Sequence, residues 1–309
     1  MKVAALQMDA VFADVQTNLE CTENYIVQAA QEGVELLVLP EFFPSAIGFS
    51  PKMLDAAMQG ERVRHFLHKW AGETGMIIGG SFLLFDGKDC RNTFDLAFPD
   101  GSRYTHCKDI PTQFENCYYT YGDTKPVLHT PLGDIGVALC WEMLRTDTLK
   151  RLSGQVDVVV AGSCWWDLPV DAPTEREPLR RHNQQLAMDT PVTFARLLHA
   201  PVIHASHCGR VTAGNFPAGD GLRTRLLVGA AQIIDENGTI LSRREFSEGA
   251  GLVSAEFPVW PKRQTAEIAD QYWIPDLPEP YRRAWETINP AAQEYYENTM
   301  RERYLKKGS

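Results

Sequence analysis

Long apolar runs, basic runs and paired cysteines are all missing from this chain of 309 residues. No stretch approaches the roughly 18 consecutive apolar residues of a membrane span. The opening residues hold only the short apolar run Val3-Ala4-Ala5-Leu6, too brief for a signal-peptide core. A cytoplasmic location is therefore expected, with no membrane partner. The 30 basic residues are outnumbered by 40 acidic ones, a net charge of −10. Basic residues gather only in pairs, at Arg180-Arg181, Arg243-Arg244 and Lys306-Lys307. Without a basic patch there is little counterion release to drive nucleic-acid binding. The 7 cysteines are odd in number and scattered, with no C-x-x-C pair. That excludes a zinc ribbon, argues against a disulfide framework and leaves free thiols in a reducing compartment.

What is present is a large globular core. Apolar residues make up 44% and charged residues 23% of the chain, the balance of a soluble domain. A chain of this length buries enough surface to fold without metals or cross-links. Short apolar runs suited to buried strands stand at Val3 to Met8, Leu36 to Leu39, Met76 to Leu84, Asn92 to Phe98, Ile135 to Leu139, Val156 to Val160, Val202 to Ser206 and Leu252 to Phe257. Between them, helical spacing predicts helices over Thr17 to Glu32, Glu61 to Glu73, Met143 to Leu152 and Arg176 to His199, the last interrupted at Pro191. Pro99-Asp100-Gly101 and Glu236-Asn237-Gly238 read as hairpin turns, the first returning through Tyr104 to Cys107, the second joining Leu226 to Asp235 with Thr239 onward. Strands alternating with helices predict an α/β layered domain with mixed sheets. From Pro258 the composition changes. Pro258, Pro261, Pro275, Pro278 and Pro280 are expected to break any regular element, and Tyr281 to Lys307 is charged and amphipathic. The expected division is a domain over 1–257 and a C-terminal arm over 258–309. The arm's aromatics, among them Trp260, Trp273, Trp285 and Tyr296, predict that it docks on the core or on a neighbouring subunit.

Three strand ends carry candidate chemistry. Ala138-Leu139-Cys140-Trp141-Glu142 delivers a thiol from a buried strand to the start of a helix. Such a residue is either inert core or a nucleophile eased towards the thiolate by the helix N-terminus. Pro40-Glu41-Phe42-Phe43 puts a carboxylate after an aliphatic run. It is either a solvated loop charge or a base whose pKa an apolar pocket has raised. His106-Cys107-Lys108 ends a hairpin strand in a cation, with Glu115 seven residues on. A surface pair is one reading; a lysine aimed at a developing anion and held by an acid is the other.

Two other strings invite readings that fail. Gly162-Ser163-Cys164-Trp165 superficially matches a papain-like cysteine block, but the histidines after it, His182, His199, His204 and His207, follow too soon. His204 and His207 point to opposite faces of a strand, so they do not share a metal, although His207 is placed to line a pocket at the strand end.

Taken together, Glu41, Lys108 and Cys140, in that chain order at strand ends, give a sequence that resembles the nitrilase superfamily of carbon–nitrogen hydrolases. The resemblance spans roughly residues 1 to 257. It takes in the strand with Gln7, the block ending at Glu41, the Lys108 segment, the Cys140-Trp141-Glu142 block and the Asp235-Glu236-Asn237-Gly238 hairpin. It implies a four-layer αββα sandwich, with Glu41 as general base, Lys108 as electrostatic stabiliser, Cys140 as nucleophile and Glu115 positioning lysine and substrate. Trp141, Glu142, Cys164, Trp165 and Trp166 would line the substrate pocket. The runs Lys108-x-x-Pro111-Thr112-x-x-Glu115, Gly122-Asp123 and Cys140-Trp141-Glu142 resemble the nitrile-hydrolysing branch. The expected reaction is cleavage of a small nitrile to acid and ammonia through a thioimidate and a thioester. Hydrolysis of a small amide, of the omega-amidase or N-carbamoyl type, is the alternative, and a silent binding protein of the same fold is the rival from another class. The resemblance further implies no metal or organic cofactor, and a homodimer or larger homo-oligomer.

Overall fold

The structure is a computed structural model that describes residues 1–217, 219, 221–257 and 260–308. The first half of the chain runs β1 (Lys2–Asp9), α1 (Val15–Gln31), β2 (Leu36–Val38), α2 (Lys52–Ala57), α3 (Gly60–Thr74), β3 (Ile77–Phe85), β4 (Cys90–Ala97), β5 (Arg103–Cys107), β6 (Val127–Thr130) and β7 (Gly133–Leu139). It continues through α4 (Thr146–Leu152), β8 (Val158–Ser163), β9 (Trp166–Pro169), α5 (Glu177–Leu198), β10 (Val202–Cys208), β11 (Arg210–Gly214), β12 (Leu222–Leu227), β13 (Ala231–Ile234), β14 (Ile240–Arg244) and β15 (Gly251–Glu256). α6 (Glu279–Tyr295) and α7 (Arg301–Gly308) complete the chain, joined by a π turn over Tyr296–Met300.

The main sheet has 12 strands. The order β5-β4-β3-β2-β1-β15 forms one half and β6-β7-β8-β10-β13-β14 the other, joined where Gln7–Asp9 pairs with Ser206–Cys208. Side-chain alternation decides the layers. Val3, Ala5, Leu36 and Val38 meet Val137, Val158, Val160 and Ile203 in a core between the halves. The intervening residues Ala4, Leu6 and Met8 face outward to Leu19 and Ile26 of α1 and Val63 and Leu67 of α3. On the other side Val159 and Ala161 face Leu149 and Leu152 of α4 and Phe194, Ala195 and Leu198 of α5. The layers are therefore α, β, β, α. Each fully buried aliphatic side chain here adds about 1.5–3 kcal/mol. Strands β9, β11 and β12 make a separate 3-stranded sheet. Among the described residues, no helix is long and apolar enough to cross a membrane.

Four departures from the sequence-based reading have physical causes. The predicted helix over Met143 to Leu152 is two pieces: a 3-10 turn over Cys140–Leu144 and α4, separated by Arg145 in extended conformation at φ −104° and ψ 131°. The predicted strand from Leu226 to Asp235 is also two, because β12 belongs to the small sheet and β13 to the main one. α5 runs unbroken past Pro191; the lost hydrogen bond is outweighed by the packing of its buried face. Pro280 does not break structure but opens α6, at a position whose N–H needs no partner.

The arm packs on its own chain. The Tyr296 hydroxyl accepts from the Cys90 N–H (2.8 Å), the Tyr304 hydroxyl donates to the Tyr118 carbonyl (3.0 Å), and the Tyr304 ring stacks on Phe85 at 5.4 Å. The expected boundary at Pro258 lies outside the described residues.

Strand direction gathers the candidate residues. β1, β2 and β3 are mutually parallel, as are β1, β10, β8 and β7. β5 is antiparallel to β4, which is antiparallel to β3, so β5 runs with the rest. The carboxyl ends of β2, β5, β7 and β8 thus share one rim, the place where α/β sheets expose loops to ligands.

Candidate active site

Glu41 sits in a buried turn after β2. Phe42 and Ala46 take left-handed φ of 52° and 49° to close it. β8 approaches this turn so closely that a Cβ at Gly162 would lie 2.7 Å from the Glu41 nitrogen, so only glycine fits. His207 Nε2 donates to the Glu41 carbonyl at 2.8 Å, and the Phe42 N–H donates to Ser81 Oγ at 3.1 Å. Three strands thus fix one short loop. The Glu41 carboxylate accepts from Lys108 Nζ (2.8 Å), Asn92 Nδ2 (2.9 Å) and the Cys164 N–H (3.2 Å).

Lys108 is the residue after β5 and is 1% exposed. Its second acceptor is Glu115 Oε2, also at 2.8 Å. Glu115 belongs to a 3-10 turn over Gln113–Cys117 and is held by the Thr112 N–H (3.0 Å) and the Tyr119 hydroxyl. Cys140 comes directly after β7 with φ +52° and is 3% exposed. The structure therefore brings Glu41, Lys108, Glu115 and Cys140 into one electrostatic neighbourhood, each charge acting on the thiol.

Burial decides the protonation states. It pushes the Glu41 carboxyl up, Lys108 offsets only part of this and Glu115 adds to it, leaving a pKa of about 7 against the ordinary 4.5. Burial alone would lower Lys108, but the charges of Glu115 and Glu41 outweigh it, so the ammonium is retained. Burial and the Glu41 charge push the Cys140 thiol well above its ordinary range, against the pull of Lys108. This corrects the expectation that a helix N-terminus eases the thiol towards the thiolate. Cys140 instead opens a five-residue 3-10 turn that stops at extended Arg145, without the aligned dipoles of a helix. The raised value favours the thiol at rest, which would need a base to take its proton before it could act as a nucleophile.

A cavity of about 340 Å³ reaches the site; Cys140, Glu115, Trp141, Cys164, Trp165 and Trp166 line it. Glu41 and Lys108 are not on its wall. The volume is at the small end of ligand pockets. Trp141 stacks on Trp285 of α6 at 5.8 Å, Trp165 Nε1 donates to Asn183 Oδ1 at 2.9 Å, and Trp166 lies 4.4 Å from the Phe114 ring. Pro280, Tyr281 and Ala284 of the arm complete the wall. Glu142 does not line the cavity, contrary to expectation. It turns back, accepting from the Leu139 N–H (2.7 Å), the Asp109 N–H (2.9 Å) and His106 Nε2 (3.2 Å). His207 likewise stays out of the cavity and braces the Glu41 turn. Asn92, Tyr119, His106 and Asn183 went unread in the sequence.

A family model described as carbon–nitrogen hydrolase matches residues 2–259. Nitrilase 2 of Arabidopsis thaliana is 29% identical over 167 residues, 46% of this chain and 48% of the relative. A bifunctional nitrilase/nitrile hydratase of Lupinus angustifolius is 30% identical over 173 residues, 47% of this chain and 49% of the relative. The matched segment thus spans about half the length of these curated relatives. Among solved structures, a carbon–nitrogen hydrolase from Helicobacter pylori G27 superposes with a TM-score of 0.70 at 19% identity, covering 82% of this chain and 88% of the other. An amidase from Nesterenkonia sp. AN1 gives 0.63 at 19% identity, covering 84% and 93%. Those likenesses show the nitrilase fold, which the α, β, β, α layering shares. With the family model matched from the first strand to the edge of the arm, the chain belongs to the carbon–nitrogen hydrolase family.

Proposed function

We propose that the protein hydrolyses a small nitrile to its carboxylic acid and ammonia, with Cys140 as nucleophile, Glu41 as general base, Lys108 as electrostatic stabiliser and Glu115 positioning the lysine. The observation that carries this is one buried ammonium held at 2.8 Å by each of two carboxylates, beside a thiol that lines a small cavity. The similarity to proteins named nitrilases supports a nitrile over an amide.

In this reading Glu41 takes the thiol proton as sulfur attacks the nitrile carbon, and the proton passes to nitrogen, giving a thioimidate. Lys108 and the Trp141 N–H face the negative charge that develops on nitrogen. Water adds to the thioimidate carbon, ammonia leaves, and a thioester remains. A second water, activated by Glu41, releases the acid and restores the thiol. Two waters are consumed for each acid and ammonia formed. A pKa of about 7 lets Glu41 both accept and return protons near neutrality.

The test is ammonia release from matched nitriles and amides, with Cys140→Ala as control. Ammonia from nitriles, with a covalent adduct on Cys140 seen by mass spectrometry, is expected. Ammonia from amides alone would replace the nitrile with an amide while keeping the residue roles. No release above the control from either class would refute the reading.

A further inference from the structure

The cavity that holds Cys140 also holds two guanidinium groups that the proposed chemistry does not use. Arg225 of β12 and Arg176, just before α5, both line it. Arg225 is half-buried, and Gln113, Trp166, Asn215 and Arg225 also line a smaller adjoining cavity of about 140 Å³. These residues stand on the partition between the two spaces.

Arg225 differs from its neighbours in what it faces. Arg180 is paired with Asp167 (3.2 Å) and Glu177 (3.3 Å), and Arg223 with Asp171 (2.7 Å). Among the described residues, Arg225 has one hydrogen-bond acceptor, Asn215 Oδ1 at 3.0 Å, and no carboxylate at ion-pair distance. Burial and the Arg223 charge both disfavour its charge, and Asp171 offsets only part of this. A guanidinium does not escape by losing its proton, so this cation stands on a cavity wall without a counter-ion among the described residues. Asp167, the carboxylate on the same wall, is already committed to Arg180 and to Gln184 Nε2 at 2.7 Å. Glu115 is committed to Lys108. Two further donors lack partners among the described residues: the Trp166 indole N–H and the Tyr281 hydroxyl, both buried atoms on lining residues. Donors in excess, a cation without an anion and room for a small molecule describe a receptor for a carboxylate, which accepts at both oxygens and suits the guanidinium fork.

We propose that Arg225, seconded by Arg176 at the exposed mouth, determines specificity for a substrate that carries a carboxylate beyond its reacting carbon. Resting on the function proposed above, this names the substrate class: a short cyano-carboxylate. The carboxylate meets Arg225 while the nitrile carbon is presented to Cys140. The neutral analogue leaves the guanidinium unpaired and is discriminated against for that reason.

The experiment compares 4-cyanobutanoate with its methyl ester. Wild-type kcat/KM should favour the anion by about tenfold or more, and Arg225→Met should collapse that preference towards unity, mainly through KM, as expected for a charge-assisted contact made to the substrate. Arg225→Lys, which keeps the charge but not the fork, should fall between. Arg176→Ala, at an exposed position, should reduce the preference by a smaller factor with the melting temperature unchanged. Equal wild-type rates on anion and ester, or a preference that survives Arg225→Met, would overturn the proposal. A second readout separates it from the reaction itself. Calorimetric titration of 4-cyanobutanoate into Cys140→Ala should show binding that Cys140→Ala/Arg225→Met loses. Binding lost in this way without ammonia release from the wild type would sink the nitrile reaction but leave the anion subsite. Release without charge preference would do the reverse.

Discussion

Two clusters of buried charge share the rim of the sheets, and residues of one short segment serve both. Lys108 joins Glu41 and Glu115; its neighbours His106 and Asp109 join Glu142, Arg145 and Arg151. The first is fully buried and the second reaches towards the surface at Arg151, but the larger difference is stoichiometry. The first cluster sets one ammonium between two carboxylates, so burial and mutual repulsion leave Glu41 near pKa 7 with a proton to exchange. In the second, two guanidiniums and a histidine face two carboxylates. Burial would raise Glu142, but His106, a hydrogen bond from the Asp109 side chain and Arg145 outweigh it and hold the carboxyl well below its usual range, while burial and the Glu142 charge push its neighbour Asp109 up. One cation too few leaves a carboxyl that, in the proposed reaction, exchanges protons. Full compensation makes a cluster that only holds residues 106–109 against residues 139–145, and with them Lys108 against Cys140. Stoichiometry, more than burial, separates the chemical cluster from the mechanical one.

Removing the single ammonium should have the largest effect. Lys108→Ala leaves two buried carboxylates facing each other, and loss of a group aimed at developing charge lowers kcat by about 10²–10³ or more. Breaking a buried pair from one side also destabilises by about 3–5 kcal/mol. Single-turnover rates and urea unfolding measure the two effects separately. A change confined to KM would demote Lys108 to substrate binding and blur the contrast between the clusters.

The clusters should also respond to pH with opposite sign. A base must be unprotonated to accept the thiol proton, so kcat/KM should rise with pH through about 7, falling about tenfold per unit on the acid side. For stability, Glu41 has a folded value of about 7 above an ordinary 4.5, so the native state binds its proton more tightly than the unfolded chain. Its contribution is fully present below 4.5 and is lost as pH rises through about 7. Glu142 is depressed, so its contribution is present above the ordinary carboxylate range and is lost on acidification. Unfolding free energies from pH 3 to pH 8 should show Glu41→Gln flattening the neutral limb and Glu142→Gln the acid limb. Both variants altering the same limb would refute the division.

The alternation of strands with helices and the strand-end residues were legible in the sequence as local pattern, whereas the four-layer order came only through the family resemblance. Pro40 follows β2, Glu41 and Cys140 come at the ends of apolar runs, and Lys108 ends the return strand of a hairpin. What escaped depends on partners distant in the chain or on the exact winding of a turn. Asn92 meets Glu41 across 51 residues and His207 meets it across 166. Glu142 was misread because Cys140-Trp141-Glu142 looks like one block facing one way. In a 3-10 turn, three residues complete a revolution, so Cys140 and Trp141 reach the cavity while Glu142 is carried round to the Leu139 N–H. The small sheet with Arg225 was invisible for the same reason: β12 comes after β11 in sequence but also pairs with β9, more than fifty residues earlier.

Glu142→Gln should produce the smallest of these effects, and the form of the effect matters more than its size. The amide keeps the volume and one acceptor oxygen, so Glu142 can no longer accept at full strength from both the Leu139 and Asp109 N–H groups. Weakening hydrogen bonds to a buried charge lowers stability by about 1.5–3 kcal/mol. Because residues 139 to 145 include Cys140, the proposed nucleophile, some alignment is lost with them, and misplacement of reacting groups by fractions of an ångström lowers kcat. The loss should fall on kcat with little change in KM, since Glu142 does not line the cavity. The alkaline rise set by Glu41 should keep its midpoint. A shifted midpoint would mean that Glu142 acts electrostatically on the proton-exchanging cluster, and the two sets of charges would have to be treated as one.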